Sequence, residues 1–341
     1  MLPWLQHQWY KKSSPHLLLR LFAALFSCLI QCRYWAYRKG ILKTHWLSVP
    51  VIVVGNLTLG GTGKTPLVIF LAQELMRQGL HPAVLSRGYQ GSAKIPQRVY
   101  AHSDVSIAGD EPVMMAQQLS CPIWIGRRRV EAARQLLDAH AEVDVIICDD
   151  GLQHYALARD LEVVVFDGER GVGNGLIFPA GPLREPLARL HCADIAVFNG
   201  DMVRDKALIK TLESLTSFTM RLNPADAISL NDAKQHRTLK SFKHQHITAI
   251  AGIGHPERFF KQLRQHDIQV NGLAFPDHHA YVQADFAELA STTLVMTEKD
   301  AVKCRHLSLG DAWYFPVTAE VSKQLVKLVM QKIKAKREAH G

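Results

Sequence analysis

No Cys-x-x-Cys pair occurs in the 341 residues. The six cysteines, Cys28, Cys32, Cys121, Cys148, Cys192 and Cys304, are scattered. That argues against a zinc ribbon or a disulfide scaffold and fits a reducing compartment. Charged residues make up 21% of the chain against 48% hydrophobic. Enough apolar surface exists to bury a core, so a disordered chain is excluded. The mean hydropathy is −0.03, which excludes a polytopic membrane protein. There is no internal repeat and no low-complexity tract. The length suits one large domain or two modest ones.

Acid is missing from residues 1–48, where Lys11, Lys12, Arg20, Arg33, Arg38, Lys39 and Lys43 stand unopposed. These seven bases account for most of the formal charge of +9. Trp4, Trp9, Trp35 and Trp46 lie in the same segment. Between the bases, Leu21 to Cys32 is an uncharged run of 12 residues. As a helix this run covers about 18 Å, too short for a hydrocarbon core of about 30 Å unless Arg20 and Arg33 snorkel. No clean small-residue cleavage site follows it. Two readings stand: a basic, Trp-flanked helix lying in a membrane interface, or a core helix with solvated ends. The first is preferred. Leu and Phe dominate between the charges, so a nucleic-acid partner is not expected.

From Val49 onward, short apolar runs alternate with helical patterns. Strands are expected at 51–54, 83–85, 123–125, 145–148, 163–166 and 195–198. Helices are expected at 65–77, near 111–119 and over 127–140. This pattern predicts an α/β fold: a mostly parallel sheet with helices on both faces. Residues 168–186 form a Gly/Pro-rich loop of the length that usually carries function. Residues 223–245 are polar and read as a boundary. A further strand at 247–251 leads into Gly252-Ile253-Gly254-His255-Pro256 and more α/β units, ending in a basic helix near 320–337. The expected division is an N-terminal membrane-associating helix in 1–48, a P-loop NTPase-like core lobe over 49–222, and a smaller α/β lobe over 223–341.

The chemistry begins where the strand Val51–Val54 runs through Gly55-Asn56 into Thr58-Leu59-Gly60-Gly61-Thr62-Gly63-Lys64-Thr65. Glycines let backbone N–H groups approach phosphates, and the following helix adds its dipole. Thr58, Gly60, Gly61, Thr62, Gly63, Lys64 and Thr65 are the candidate nucleotide contacts. Lys64 would reach the β/γ-phosphates and the Thr65 hydroxyl would bind Mg²⁺. Thr58 stands where the usual first glycine of such a loop falls. Asp149-Asp150 ends another strand, where an open α/β sheet binds ligand and a P-loop enzyme holds its metal. Adjacent residues point apart, so only one of the two need touch metal.

Other groups have two readings each. Asp110-Glu111 starts a helix and suits an N-terminal charge as well as a site. His154 after Gln153 could meet substrate or be structural. Arg184, followed by Glu185, could meet phosphate or transition-state charge, or be an exposed loop residue. His278 and His279 follow Asp277, and one could accept a proton. Thr297-Glu298-Lys299-Asp300 reads as capping and charge pairing.

Taken in order, these motifs resemble the tetraacyldisaccharide 4′-kinase family. The resemblance rests on Gly55-Asn56 with Gly60 to Pro66, Leu85-Ser86-Arg87-Gly88-Tyr89, Gly109-Asp110-Glu111-Pro112, and Asp149-Asp150-Gly151-Leu152-Gln153-His154. Pro179-Ala180-Gly181-Pro182-Leu183-Arg184-Glu185, Asp277-His278 and Thr297 to Asp300 complete it. Leu152 replaces the phenylalanine frequent in the family. The resemblance implies ATP and Mg²⁺ as cofactors and phosphorylation of the 4′-hydroxyl of a tetraacylated glucosamine disaccharide 1-phosphate, in lipid A biosynthesis. The place implied is the cytoplasmic face of a Gram-negative inner membrane, with peripheral contact to its anionic surface and no obligate protein partner. Lys64, Asp110, Arg184 and His278 are then the catalytic candidates, with Asp110 and His278 a pair that activates the sugar hydroxyl. Thr65, Asp149, Asp150 and Glu111 are the metal candidates. Asn56, Gln153, His154 and Glu185 are the candidate substrate contacts. The rival is a membrane-attached P-loop ATPase or GTPase switch, or a metal-insertion chaperone. Against it, Leu59 stands where many of that class carry lysine, and no Asn-Lys-x-Asp follows Val197-Phe198.

Overall fold

The computed structural model describes residues 8–10, 15–202, 206–213, 215–289 and 292–340. Trp4, Lys11 and Lys12 of the basic segment lie outside the described residues. The first long element is α1 (Leu17–Arg38), 22 residues, of which only Ala23 is buried. It is about 33 Å long at 1.5 Å per residue, so by length and composition it could cross a membrane. This corrects the expected 12-residue helix. Charge does not end a helix whose charged side chains reach solvent, so the backbone runs through Arg20 and Arg33 to the Gly40 turn, where φ is +73°.

The strands that follow are short because each is a buried run bounded by turn residues. In chain order they and their helices are β1 (Val51–Gly55), α2 (Lys64–Arg77), β2 (Pro82–Ser86), β3 (Gln97–Val99), α3 (Val105–Ala108) and α4 (Asp110–Gln118). Next come β4 (Ile123–Ile125), α5 (Arg129–Ala139), β5 (Val145–Asp149), β6 (Leu161–Asp167), β7 (Ile195–Asn199), α6 (Lys206–Leu212) and β8 (Thr216–Pro224). Every residue of β1, β2, β5, β6 and β7 is buried, as expected for a sheet covered on both faces. Leu67, Leu71 and Leu75 of α2 recur at helical spacing and pack on one face with Ile52, Val54 and Ile147. Val51, Val53, Ile146 and Phe166 point to the other face, against Ala132, Ala133 and Leu136 of α5. Alternation along each strand thus divides one apolar run between two cores.

A second unit holds β9 (Ala227–Ser229), β10 (His236–Arg237), β11 (His246–Ala251), α7 (Pro256–Arg264), β12 (Gln269–Ala274), β13 (Thr293–Thr297), α8 (Glu298–Cys304) and β14 (Ala312–Phe315). Strands β9 and β10 lie in the polar stretch expected to be only a boundary. The chain then ends in β15 (Val317–Val321) and α9 (Lys323–His340). Among the described residues the strands form two sheets, ordered β15-β8-β7-β6-β1-β5-β2-β4-β3 and β10-β9-β14-β13-β11-β12. The larger sheet is parallel inside with antiparallel pairs at both edges; in the smaller one β12, β11, β13 and β14 run parallel and the β14–β9 and β9–β10 pairs are antiparallel.

The cut expected at 222/223 falls within β8, and the end of the chain does not stay with the smaller sheet. β15 pairs with β8, and Leu325, Val329 and Ile333 of α9 join the core beneath the larger sheet. An amphipathic helix buries its stripe where an uncovered sheet face exists, and sequence distance does not decide which face that is.

Candidate active site

Strands β1 and β5 lie side by side, with Val54 opposite Asp149. Their carboxyl ends, and the loops after them, therefore open at one place. A Cβ on Gly55 would sit 2.6 Å from the Cβ of Leu152; only glycine permits the two loops to touch. At the end of the next loop Gly63 has φ +90°, and a Cβ there would lie 2.6 Å from Nδ2 of Asn199. A Cβ on Gly60 or Gly61 would meet nothing within 4 Å. Asn56 is buried and holds the loop's shape. Its Nδ2 donates to the carbonyls of Thr58 (2.7 Å) and Gly60 (3.3 Å), and its Oδ1 accepts from Lys64 Nζ (3.2 Å). The Asn56 side chain thus serves the loop itself.

The Gly/Pro-rich loop braces the other side. Leu59 N–H donates to Pro182 O (2.8 Å), Arg184 N–H donates to Leu57 O (2.6 Å), and Thr58 bridges to Leu183. The N-terminal segment docks on the same loop: Trp9 is buried and donates to Pro179 O at 2.9 Å, and Phe26 of α1 meets Phe178 edge-on at 5.9 Å.

The two acids after β5 differ. Asp150 has φ +47° and meets Arg184 Nη1 at 3.2 Å and Lys64 Nζ at 3.5 Å. Burial opposes its charge, but Lys64 and Arg184 outweigh burial and hold its pKa well below the usual carboxylate range. Asp149 is 1% exposed, and its Oδ1 has no hydrogen-bond partner. Burial, with Glu111 adding repulsion, pushes its pKa up to about 7. A buried acceptor without a donor is costly, and a cation is the group that would satisfy it. Among the described residues no cluster of three or more His, Cys, Asp or Glu could hold a metal ion. A P-loop Mg²⁺ needs no such cluster, since phosphates and water fill most of its sphere. Thr65, in the first turn of α2, and Asp149 fit that donor set. Beneath them the buried Arg129 donates to the carbonyls of Leu85 (2.8 Å) and Asp149 (3.0 Å), fixing the ends of β2 and β5.

A second cluster gathers where the start of α4 meets α8 and the loop after β12. Gly109 (φ +91°) opens α4 and turns Asp110 inward; a Cβ there would meet Tyr89 O at 2.6 Å. Asp110 is 3% exposed. Its Oδ2 accepts from His278 Nδ1 at 2.8 Å, and its Oδ1 accepts from Glu111 N–H at 2.8 Å. Lys299 Nζ lies 3.1 Å from Glu111 Oε1, 3.3 Å from His278 Nε2, 3.6 Å from Asp277 and 3.8 Å from Asp110. Burial works against the Lys299 charge, but Glu111, Asp110 and Asp277 outweigh it and raise its pKa. Burial likewise opposes the Asp110 charge, yet His278 and Lys299 hold its pKa below the ordinary value. Glu111 joins the clusters: it binds Lys299 and its charge is felt at Asp149. The Gly252–His255 turn closes over the phosphate loop, where a Cβ on Gly254 would be 3.1 Å from Gly61 N. His279 turns away to Asp285 (2.9 Å), so of the adjacent imidazoles His278 faces the cluster.

The remaining candidates lie behind the loop. Gln153 Nε2 donates to Asn56 O at 3.2 Å. Glu185 is buried and accepts from Tyr155 Oη, with Arg189 Nε 3.8 Å away. Tyr155 in turn meets Tyr34 of α1 edge-on at 5.3 Å. Burial, with Arg129 and Arg159, pushes the His154 pKa down to about 4, so it is neutral at pH 7. Sequence reasoning missed Lys299 and Arg129, as well as Asn199, whose Nδ2 donates to Thr62 O at 3.1 Å and whose Oδ1 accepts from Arg258 at 2.8 Å. The Thr-Glu-Lys-Asp run was the available signal for Lys299. Thr297 does cap α8, but Lys299 reaches the other lobe.

The sequence model of the Tetraacyldisaccharide-1-P 4′-kinase family matches residues 15–334. A tetraacyldisaccharide 4′-kinase of Methylobacillus flagellatus is 44% identical over 97% of this chain and 96% of its own length. That of Dechloromonas aromatica is 44% identical over 98% and 99%. Among solved structures, the "apo" form LpxK from Aquifex aeolicus in complex with ATP is similar at a TM-score of 0.75 and 28% identity, covering 92% of this chain and 97% of that one.

Proposed function

This chain belongs to the tetraacyldisaccharide-1-P 4′-kinase family, and from that premise we propose that it moves the γ-phosphoryl group of ATP to the 4′-hydroxyl of a tetraacylated glucosamine disaccharide 1-phosphate. The observation that carries the reading is the Asp110–His278 pair at 2.8 Å, bound through Lys299 to Glu111, whose charge reaches Asp149 at the end of β5. A phosphate loop alone suits any nucleotide enzyme. A carboxylate-oriented imidazole added to it suits transfer to a hydroxyl.

In this reading the loop from Thr58 to Thr65 holds the phosphates, and Lys64 neutralises them. Thr65 and Asp149 would hold Mg²⁺, with Glu111 beside Asp149; the bound ion neutralises charge on the phosphate oxygens. Asp150 holds Lys64 and Arg184, so both cations stay directed at the transferring group. The acceptor oxygen bonds to the γ-phosphorus, the bond to the ADP oxygen breaks, and the hydroxyl proton passes to His278 Nε2. Asp110 accepts from Nδ1 and stabilises the imidazolium that forms.

The substrate is a lipid, and α1 supports a lipid surface as its source. Leu21, Phe22, Leu25 and Leu29 are exposed on it. Arg20, Arg33, Arg38, Lys39 and Lys43 flank them, and each base near an anionic surface contributes about 1 kcal/mol. Because α1 and Trp9 dock on the loop that carries Arg184, peripheral contact with the cytoplasmic face of the inner membrane would bring the headgroup beside the site. The test is label transfer in detergent micelles, from [γ-³²P]ATP to the disaccharide 1-phosphate. Label on lipid in the wild type, lost in Lys64→Ala, supports the reading. Phosphate release without labelled lipid would overturn it in favour of a nucleotide switch.

A further inference from the structure

We propose that Lys299 is a positioning residue of the transfer reaction: from the smaller lobe it holds His278 in the tautomer whose Nε2 carries the lone pair, and it fixes Glu111 beside that imidazole. The inference rests on reading Asp110 and His278 as the acceptor-activating pair.

The hydrogen bonds leave one consistent arrangement. Asp110 Oδ2 is a carboxylate oxygen and can only accept, so His278 Nδ1 carries the hydrogen in the 2.8 Å bond. The ammonium of Lys299 can only donate, so the partner 3.3 Å away, His278 Nε2, presents its lone pair. A neutral imidazole has one donor and one acceptor nitrogen; the two neighbours together decide which is which. Asp277 Oδ1 also lies 3.7 Å from Nε2; without the Lys299 ammonium, this second carboxylate would compete with Asp110 for the ring hydrogen.

An ion pair meant only for stability would need one carboxylate. Lys299 instead meets Glu111 and Asp110 from one lobe and Asp277 and His278 from its own. Its place is fixed by contacts that have no other task near the site. Gln118 Nε2 donates to Glu298 at 2.6 Å and Arg305 donates to Gln117 at 2.9 Å, so α8 is pinned to α4 on both sides of Lys299. The buried Asp300 accepts from Gly252 N–H at 3.0 Å and from Tyr281 Oη at 3.1 Å, tying the same turn of α8 to the loop above the phosphates. When a hydroxyl approaches Nε2, the ammonium has Glu111 and Asp277 to retain it, so it can yield the lone pair without losing its place.

The test uses the full chain in detergent micelles, with Lys299→Met, Lys299→Arg and His278→Ala compared with wild type. Three quantities are read: kcat, KM for ATP, and the ¹⁵N shifts of His278 in histidine-labelled protein, assigned by difference with His278→Ala. Lys299→Met is expected to lower kcat about 100-fold while KM for ATP stays within threefold. Its His278 spectrum should show both tautomers where wild type shows one. Lys299→Arg, which keeps a donor cation, should recover at least tenfold of the loss. An unchanged His278 spectrum in Lys299→Met would overturn the proposal, as would a kcat within threefold of wild type. A near-wild-type kcat in His278→Ala would instead overturn the reading of the pair. The tautomer comparison still judges Lys299 in that case.

Discussion

Asp149→Asn should make the ligand-free protein more stable while removing its activity. In the wild type a carboxylate oxygen lies buried without a partner, close to Glu111. Its pKa stands at about 7 in the folded protein, against about 4 for an unfolded aspartate. A shift of that size corresponds to about 4 kcal/mol at most. Asparagine removes the charge but leaves an amide group without a partner, which costs about 1–3 kcal/mol. The net gain is therefore about 2 kcal/mol. Because the folded pKa is raised, the folded state binds more protons between pH 4 and 7, and wild-type stability falls across that window as pH rises. Below pH 4 the carboxyl is neutral in both states and the gain vanishes; above pH 7 it is complete. Thermal unfolding in detergent, measured at pH 5 and pH 8 for both proteins, reads the difference. Adding ATP with Mg²⁺ should stabilise the wild type at pH 8 and stabilise Asp149→Asn much less. A variant no more stable than wild type at pH 8, or with the same gain at both pH values, would refute the reasoning.

Three other outcomes follow from particular contacts. Gly63→Ala places a Cβ 2.6 Å from Asn199 Nδ2 at φ +90°. Left-handed strain alone costs about 1–2 kcal/mol, and titration with a fluorescent ATP analogue should show at least tenfold weaker binding, of order RT ln 10 or more. Arg129→Met leaves the carbonyls of Leu85 and Asp149 without their donor; the urea midpoint should drop by the equivalent of about 3 kcal/mol. Replacing Leu21, Leu25 and Leu29 by serine should leave the unfolding temperature unchanged, because all three are more than half exposed. Flotation with anionic vesicles should nonetheless fall more than 100-fold, since each leucine contributes about 1.5–3 kcal/mol when buried in lipid.

The parts of the site that were legible in the sequence are those where chemistry and local structure coincide. Val51–Val54 is a buried run, the loop after it is rich in glycine, and Lys64-Thr65 opens a helix, so strand, turn and candidate phosphate site share one stretch of chain. Asp149-Asp150 was legible for the same reason: a carboxylate pair at the end of an apolar run marks the open end of a parallel sheet. The division of labour between them was not legible. It depends on Arg184 and Lys64 reaching Asp150 and on nothing reaching Asp149 Oδ1. Lys299 read as helix-end charge pairing because its four partners come from two other segments, at Asp110-Glu111 and Asp277-His278. Asn199 and Arg258 support the phosphate loop from the ends of β7 and α7, a contact no local pattern announces. α1 was placed correctly but measured short, because an uncharged run was taken for the helix and exposed arginines do not stop one. β15 and α9 return to the first sheet because its uncovered face needed an apolar stripe, which is a property of the fold and not of residues 317–340.

The central claim is that one hydroxyl of an acylated disaccharide receives the phosphoryl group at a site built from both lobes. Its most direct test is the structure of the product. Wild type and His278→Ala would be incubated with ATP, Mg²⁺ and tetraacyldisaccharide 1-phosphate, and the extracted lipid examined by ³¹P–¹H correlation. The account predicts a second phosphomonoester correlated with the 4′ proton in the wild type, formed at a rate at least about 100-fold lower in His278→Ala. A lipid with only its 1-phosphate, while ATP is hydrolysed at the same rate with and without lipid, would contradict it.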